Sequence, residues 1–281
     1  MKPLQRVCRI TASDGLARYT RLRLEAPQIA TAARPGQFVA IAVGGPTSSL
    51  LLRRAFAVYR TDATTVEVVV AAQGPGTQWL VRQPTGTEVD VIGPLGRPFP
   101  DPDQDGPVVV VGGGYGTAGL VRLVERMRTQ GRGVTALVGA GSADRLVGVA
   151  DLEGLAAQVI VATDDGSAGT PGRVTDLMSG SAAAAVAEAV AVYACGPMPM
   201  LAATAKAAAT ADVPAWCSVE EAMACGIGVC MTCVLPVVDT DGATRMLRSC
   251  VAGPTFPAGA VRWDEVGTVP SDCVGAPSGR Q

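Results

Sequence analysis

"ACGIGVCMTC", residues 224–233, places three cysteines within ten positions of a chain of 281 residues that has no histidine. A fourth, Cys250, follows after sixteen residues, so Cys225, Cys230, Cys233 and Cys250 are spaced C-x4-C-x2-C-x16-C. Four thiolates complete one coordination sphere. With eight cysteines in all and half of them in this region, metal or cluster ligation is a better reading than a disulfide framework, which belongs to short secreted chains.

This spacing is that of plant-type [2Fe-2S] ligation, in which a loop wraps three thiolates around the cluster and a later residue closes it. Gly226 and Gly228 suit such a loop, which must reach unusual backbone angles and aim amides at sulfur. A structural zinc site with four cysteine ligands competes. Zinc ribbons favour paired C-x2-C elements, however, and here one such pair exists. Cys8, Cys217 and Cys273 stand alone and read as small buried hydrophobes.

Upstream, the first hundred residues break into short strand-like runs: RVCRITAS, RLRLE, GQFVAIAV, RAFAVYR, TTVEVVVAA and TEVDVIG. Turn residues such as Pro35-Gly36, Gly44-Gly45-Pro46 and Gly74-Pro75-Gly76 separate them, the rhythm of a small antiparallel β-barrel. A sandwich fits the strand pattern alone equally well. After the polar stretch DPDQDG (101–106) buried strands alternate with helical stretches. PVVVV runs into GGGYGTAG and then a helix with Leu120, Leu123, Val124 and Met127 at helical spacing. Later strands VTALVGA, AQVIVAT and AVAVYACG complete the pattern of an open parallel sheet covered by helices. The predicted organisation is residues 1–101, 102–212, a cysteine module 213–266, and a Pro/Gly/Ser-rich tail 267–281.

Composition narrows the function. Net charge is −2, with no basic run to suggest nucleic acid. No apolar stretch is long enough to span a membrane and the N-terminus lacks a signal-peptide core, so the expected location is cytoplasmic. The absence of histidine argues against Ser-His hydrolases and His-ligated metal enzymes. The loop GGGYGTAG (112–119) follows a strand and opens a helix, a place where backbone amides can approach phosphates. Gly114, Gly116 and Gly119 match G-x-G-x-x-G, although no acidic residue ends the following strand. YACGPMPML sets Cys195 at the carboxyl end of a buried strand, where ligands bind in this architecture.

Taken together, SVEEAMACGIGVCMTC, RSCVAGPTFPAGAV, GGGYGTAGL and ACGPMPML resemble the ferredoxin reductase superfamily, and within it the electron transfer subunits of type B dihydroorotate dehydrogenases. The likeness covers about residues 5–266. It implies a multidomain chain: an antiparallel β-barrel FAD domain, an α/β parallel-sheet NAD-binding domain and a small C-terminal [2Fe-2S] module held by the four cysteines. It further implies FAD on Arg54, Ala55, Phe56, Ala57, Gly76 and Thr77, with Arg54 on the pyrophosphate. NAD would meet Gly113, Gly114 and Gly116, with Asp164 and Asp165 near the nicotinamide half and Cys195, Gly196 and Pro197 setting it against the flavin. For Asp165 a helix- or turn-capping role competes. Arg145 stands where it could contact a 2′-phosphate or remain surface charge.

Three positions depart from the resemblance: Ala55 replaces proline, Ala57 replaces serine, and Gly119 stands where the nicotinamide loop has proline. The implied partner is an FMN-containing catalytic subunit that oxidises dihydroorotate, in a heterotetramer. Rival readings are an electron transfer subunit of a hydrogenase or of an NAD(P)H-ferredoxin oxidoreductase, and a zinc-stabilised scaffold without redox cofactors.

Overall fold

The computed structural model describes residues 3–45 and 47–276. Pro46 of the Gly44-Gly45-Pro46 turn and residues 277–281 of the tail lie outside the described residues.

The amino-terminal strands are β1 (Leu4–Leu16), β2 (Tyr19–Glu25), β3 (Phe38–Ile41), β4 (Arg54–Ala57), β5 (Arg60–Thr61), β6 (Thr65–Val70) and β7 (Glu88–Leu95), with short helices α1 (Pro27–Ala32) and α2 (Pro75–Val81). They pair antiparallel in the order β4-β3-β7-β1-β2-β6-β5. The sheet is therefore open, and the closed barrel expected from turn spacing does not form. The reason lies in residues 54–61. This stretch pairs with β3 through Ala57 and with β6 from Arg60, while Val58 and Tyr59 donate their N–H groups to the carbonyls of Gln37 and Glu67. One segment serves both edges in turn, so no ladder runs through it.

A second sheet follows, built from β8 (Val108–Gly113), β9 (Val134–Ala140), β10 (Gln158–Thr163), β11 (Thr170–Pro171), β12 (Ala191–Cys195), β13 (Ala215–Ser218) and β16 (Thr255–Pro257), in the order β11-β10-β9-β8-β12-β13-β16. All neighbours are parallel except β16, which runs antiparallel to β13. Val108 to Val111 are at most 1 % exposed, the signature of a strand covered on both faces. Helices α3 (Ala118–Thr129), α4 (Val149–Glu153), α5 (Asp176–Ser179), α6 (Ala183–Glu188) and α7 (Met198–Thr210) supply the covers. The four apolar positions of α3 noted in the sequence are all fully buried.

The order reverses between β8 and β12: β9 and β10 build outward on one side of β8, and the chain then returns to its other flank. Such a switch point opens a crevice at the strands' carboxyl ends. β13, beyond residue 212, is the next strand of this same sheet, and β16 closes its edge, so the cysteine segment departs from the sheet and returns to it. Between them β14 (Val234–Val238) and β15 (Thr244–Arg248) form a hairpin whose Leu235 and Val237 join the core beneath α7.

The two large sheets are locked together by side chains. Arg60 pairs with Glu125 of α3 and Asp151 of α4 at 3.0 Å each, Tyr59 donates a hydrogen bond to Asp151, and Arg122 donates to the Ala33 carbonyl at 3.0 Å. Among the described residues no helix is long and apolar enough to cross a membrane.

Candidate functional site

Two cavities flank the switch point. The larger, about 770 Å3, lies between the open edge of the first sheet and the carboxyl ends of β12 and β13. Arg54, Ala55, Phe56 and Ala57 of β4 form one wall, Thr77 joins them, and Gly116, Cys195 and Gly196 line the opposite side. Gly76 lies under the Arg54 side chain: a Cβ there would sit 3.0 Å from Nε and Nη2. The guanidinium is steadied by a 2.6 Å hydrogen bond to the Leu52 carbonyl, and it carries no acidic partner among the described ion pairs. A cation in the lining of a mostly apolar cavity suits a dinucleotide's pyrophosphate. The Thr77 hydroxyl, by contrast, is turned onto the Gly74 backbone, at 3.1 Å from both its N–H and its carbonyl.

The departures at Ala57 and Gly119 meet here. A Cβ on Gly119 would lie 3.1 Å from Cys195 Sγ and 3.6 Å from the Ala57 Cβ. Gly119 thus lies between the Ala57 methyl and the Cys195 thiol. Burial pushes that thiol up to about 12, leaving it neutral and unsuited to nucleophilic work.

The smaller cavity, about 530 Å3, sits over the ends of β8, β9 and β10. Gly113, Gly114, Asp164, Arg145 and Pro197 line it. Asp165 does not: its carboxylate accepts from the Ser167 N–H and hydroxyl at 2.9 and 2.5 Å, which lowers its pKa and closes a turn. Gly114 of the loop takes a positive φ of +54° with open space around it, whereas Gly116 is required by packing. A Cβ on Gly116 would stand 2.6 Å from the Gly196 Cα, so the 112–119 and 195–197 loops lie back to back. Tyr115, Gln73, Ala71 and Glu220 border both cavities. Tyr115 sits inside the glycine loop and Glu220 in SVEEAM, and neither bears a recognisable ligand pattern by itself; their importance is visible once the fold brings them together.

The four cysteines fall into two pairs. Cys225 and Cys230 Sγ atoms are 3.3 Å apart, and the Cys230 N–H points at Cys225 Sγ at 3.4 Å. Cys233 and Cys250 interact with one another, buried against Phe38, Ala40 and Leu95 of the first sheet. Gly226 and Gly228 take φ of +68° and +84°, and Arg248 donates a hydrogen bond to the Gly228 carbonyl, fixing the loop. Hydrogen bonds with Thr232 pull the Cys230 thiol down to about 6, whereas burial raises Cys250 to about 12. Among the described residues no three acidic or thiol side chains converge as a single-ion site. Two thiol pairs with an amide aimed at sulfur would suit the four-thiolate ligation of a two-iron cluster better than one tetrahedral zinc.

The family described as the iron-sulfur cluster binding domain of dihydroorotate dehydrogenase B matches residues 220–262. A chain of the NADH-dependent reduced ferredoxin-NADP oxidoreductase is similar at TM-score 0.80 and 30% identity, over 93% of this chain and 91% of that one. The ferredoxin reductase of carbazole 1,9a-dioxygenase shares the fold at TM-score 0.64 and 20% identity, over 76% of this chain and 68% of that one. Fold and site thus define a ferredoxin-reductase-like protein carrying an iron-sulfur binding domain. The electron transfer subunit of dihydroorotate dehydrogenase B (NAD(+)) of Desulforamulus reducens is 35% identical over 86% of this chain and 92% of its own length. That of Shouchella clausii is 37% identical over 85% and 91%. The chain belongs to the family of dihydroorotate dehydrogenase B electron transfer subunits.

Proposed function

We propose that this chain carries electrons from a catalytic subunit that oxidises dihydroorotate to orotate, by way of a [2Fe-2S] cluster and FAD, to NAD+. In this reading residues 1–101 form the FAD domain, 102–212 the NAD domain and 213–266 the cluster module, with 267–281 as a tail. FAD is held by Arg54 to Ala57, Gly76 and Thr77. NAD is held by Gly113, Gly114, Asp164 and Pro197 in the smaller cavity, with Gly116, Cys195 and Gly196, which line the larger one, setting its nicotinamide against the flavin, and the cluster is held by Cys225, Cys230, Cys233 and Cys250.

The observation that carries the reading is the sequence of sites. The nicotinamide-side cavity shares a wall with the larger cavity, whose lining includes Met223, two residues before the first cluster cysteine. Bound there, FAD would exchange two electrons with a nicotinamide and single electrons with the cluster, and the protein's part is to hold the centres in that order. Arg54 orients the flavin by its phosphates. The pairs of thiols, with Phe38 and Ala40 against one of them, hold the cluster beside the flavin cavity.

The partner reading has support on the surface. Ile227, Val229, Met231 and Val251, around the cysteine loop, are 44 to 78% exposed, an apolar patch beside the electron entry that suits a catalytic subunit. We assign that subunit an FMN, the assembly a heterotetramer, and the complex a cytoplasmic location. Likeness to the ferredoxin-NADP oxidoreductase chain favours a second reading, exchange of electrons with ferredoxin.

Co-purification decides between them. The chain should carry iron, sulfide and FAD, bind the dihydroorotate dehydrogenase catalytic chain and reduce NAD+ on addition of dihydroorotate. Reduction of ferredoxin without any response to dihydroorotate would establish the second reading. Zinc with neither flavin nor sulfide would sink both.

A further inference from the structure

Tyr115 lies where all three parts of the chain meet. It belongs to the turn between β8 and α3. Its ring packs edge-on against Tyr19 of β2, with centroids 6.0 Å apart at 69°, and its hydroxyl donates a hydrogen bond to Glu220, five residues before Cys225. Both residues border both cavities. The Tyr115–Glu220 bridge therefore spans the boundary between the space assigned to FAD and the space assigned to nicotinamide.

Its neighbours make this ring displaceable. Tyr115 is flanked by Gly114 and Gly116 and remains 36% exposed, and Glu220 is exposed. A hydrogen bond to Glu220 and one edge contact hold it in place. Burial, and after it the hydrogen bond to the Glu220 carboxylate, raise the pKa of the hydroxyl, so it stays protonated and the bridge persists through the neutral range. Neither side chain is among the residues assigned above to FAD, NAD or the cluster.

We propose that Tyr115 is a positioning residue that governs nicotinamide access to the flavin, with Glu220 as the latch that holds its ring across the passage between the cavities. This inference rests on the electron transfer reading above. A ligand that needs the open arrangement has its apparent affinity reduced by the fraction of molecules that are open, so loosening the latch strengthens binding.

The test uses the full-length, FAD- and cluster-loaded chain with the flavin oxidised, titrated calorimetrically with NAD+. Y115F keeps the ring and removes the donor, and E220Q removes the charge from the acceptor. Each should tighten NAD+ binding by roughly tenfold, the scale of one charge-assisted hydrogen bond, with a lower KM for the nicotinamide and little change in kcat. The double variant should tighten it no further than Y115F, since both changes break one interaction. Y115F with unchanged FAD and iron content and an NAD+ affinity equal to or weaker than the parent's would overturn the gate while leaving the electron transfer reading intact. A parent chain that binds FAD but no nicotinamide would overturn that reading and the gate with it.

Discussion

The cysteine loop at 225–233 and the glycine turn at 112–119 both follow a strand and both depend on glycine, yet in different balance between conformation and packing. In the cysteine loop Gly226 and Gly228 occupy positive φ, so the backbone can turn its amides toward sulfur. In the glycine turn Gly116 makes room for a second loop, with Gly196 against it. Gly114 also takes a positive φ, but the second turn is organised mainly by what packs on it from eighty residues away, and the first mainly by its own conformation and donors. Changing a residue in the first should erase a cofactor; changing one in the second should strain a junction.

The largest effect expected is at Cys230. Cys230→Ser should abolish the iron-sulfur absorption and the bound sulfide while leaving FAD in place, as read from the visible spectrum and iron and flavin assays. Loss of both cofactors together would mean that the loop is not the autonomous unit this comparison makes it.

Next comes the cation over the flavin cavity. Arg54→Ala should weaken FAD binding roughly ten- to hundredfold, the worth of a charge-assisted phosphate contact, with the cluster retained. Equilibrium dialysis against FAD measures it. An unchanged dissociation constant would remove Arg54 from the site.

At the packed turn, Gly116→Ala forces a methyl to within 2.6 Å of the Gly196 Cα. The expected cost is about 1–3 kcal/mol, and Tm falls by roughly 2–10 °C. Cluster absorption should not change. If the same substitution lowered cluster content instead, the distinction between the two loops would fail.

The smallest effect belongs to the lock between the sheets. Arg60→Met removes ion pairs to Glu125 and Asp151 from a half-buried setting, and partial solvent screening limits the loss to about 1 kcal/mol or less in a denaturant melt. A larger loss would show that the junction beneath the glycine turn depends on these charges as well as on packing.

Much of this molecule was legible in local pattern. Leu120, Leu123, Val124 and Met127 recur at helical spacing and are buried as one face of α3. The valines of β8 form a continuous apolar run because parallel strands are covered on both sides. Of the aspartates after β10, Asp164 reaches the smaller cavity while Asp165 caps its own turn, a difference that two adjacent identical residues cannot reveal.

The sequence by itself determined the cysteine spacing, the periodicity of strands and helices and the family likeness, because each is written in residues close along the chain. The tertiary structure decided that the first sheet stays open, since one segment, 54–61, serves both of its edges. It decided that β13 and β16 continue the second sheet, that the thiols divide into Cys225–Cys230 and Cys233–Cys250, and that Tyr115 meets Glu220 across 105 residues. Those outcomes depend on which distant surfaces pack together, and no local period or spacing encodes that choice.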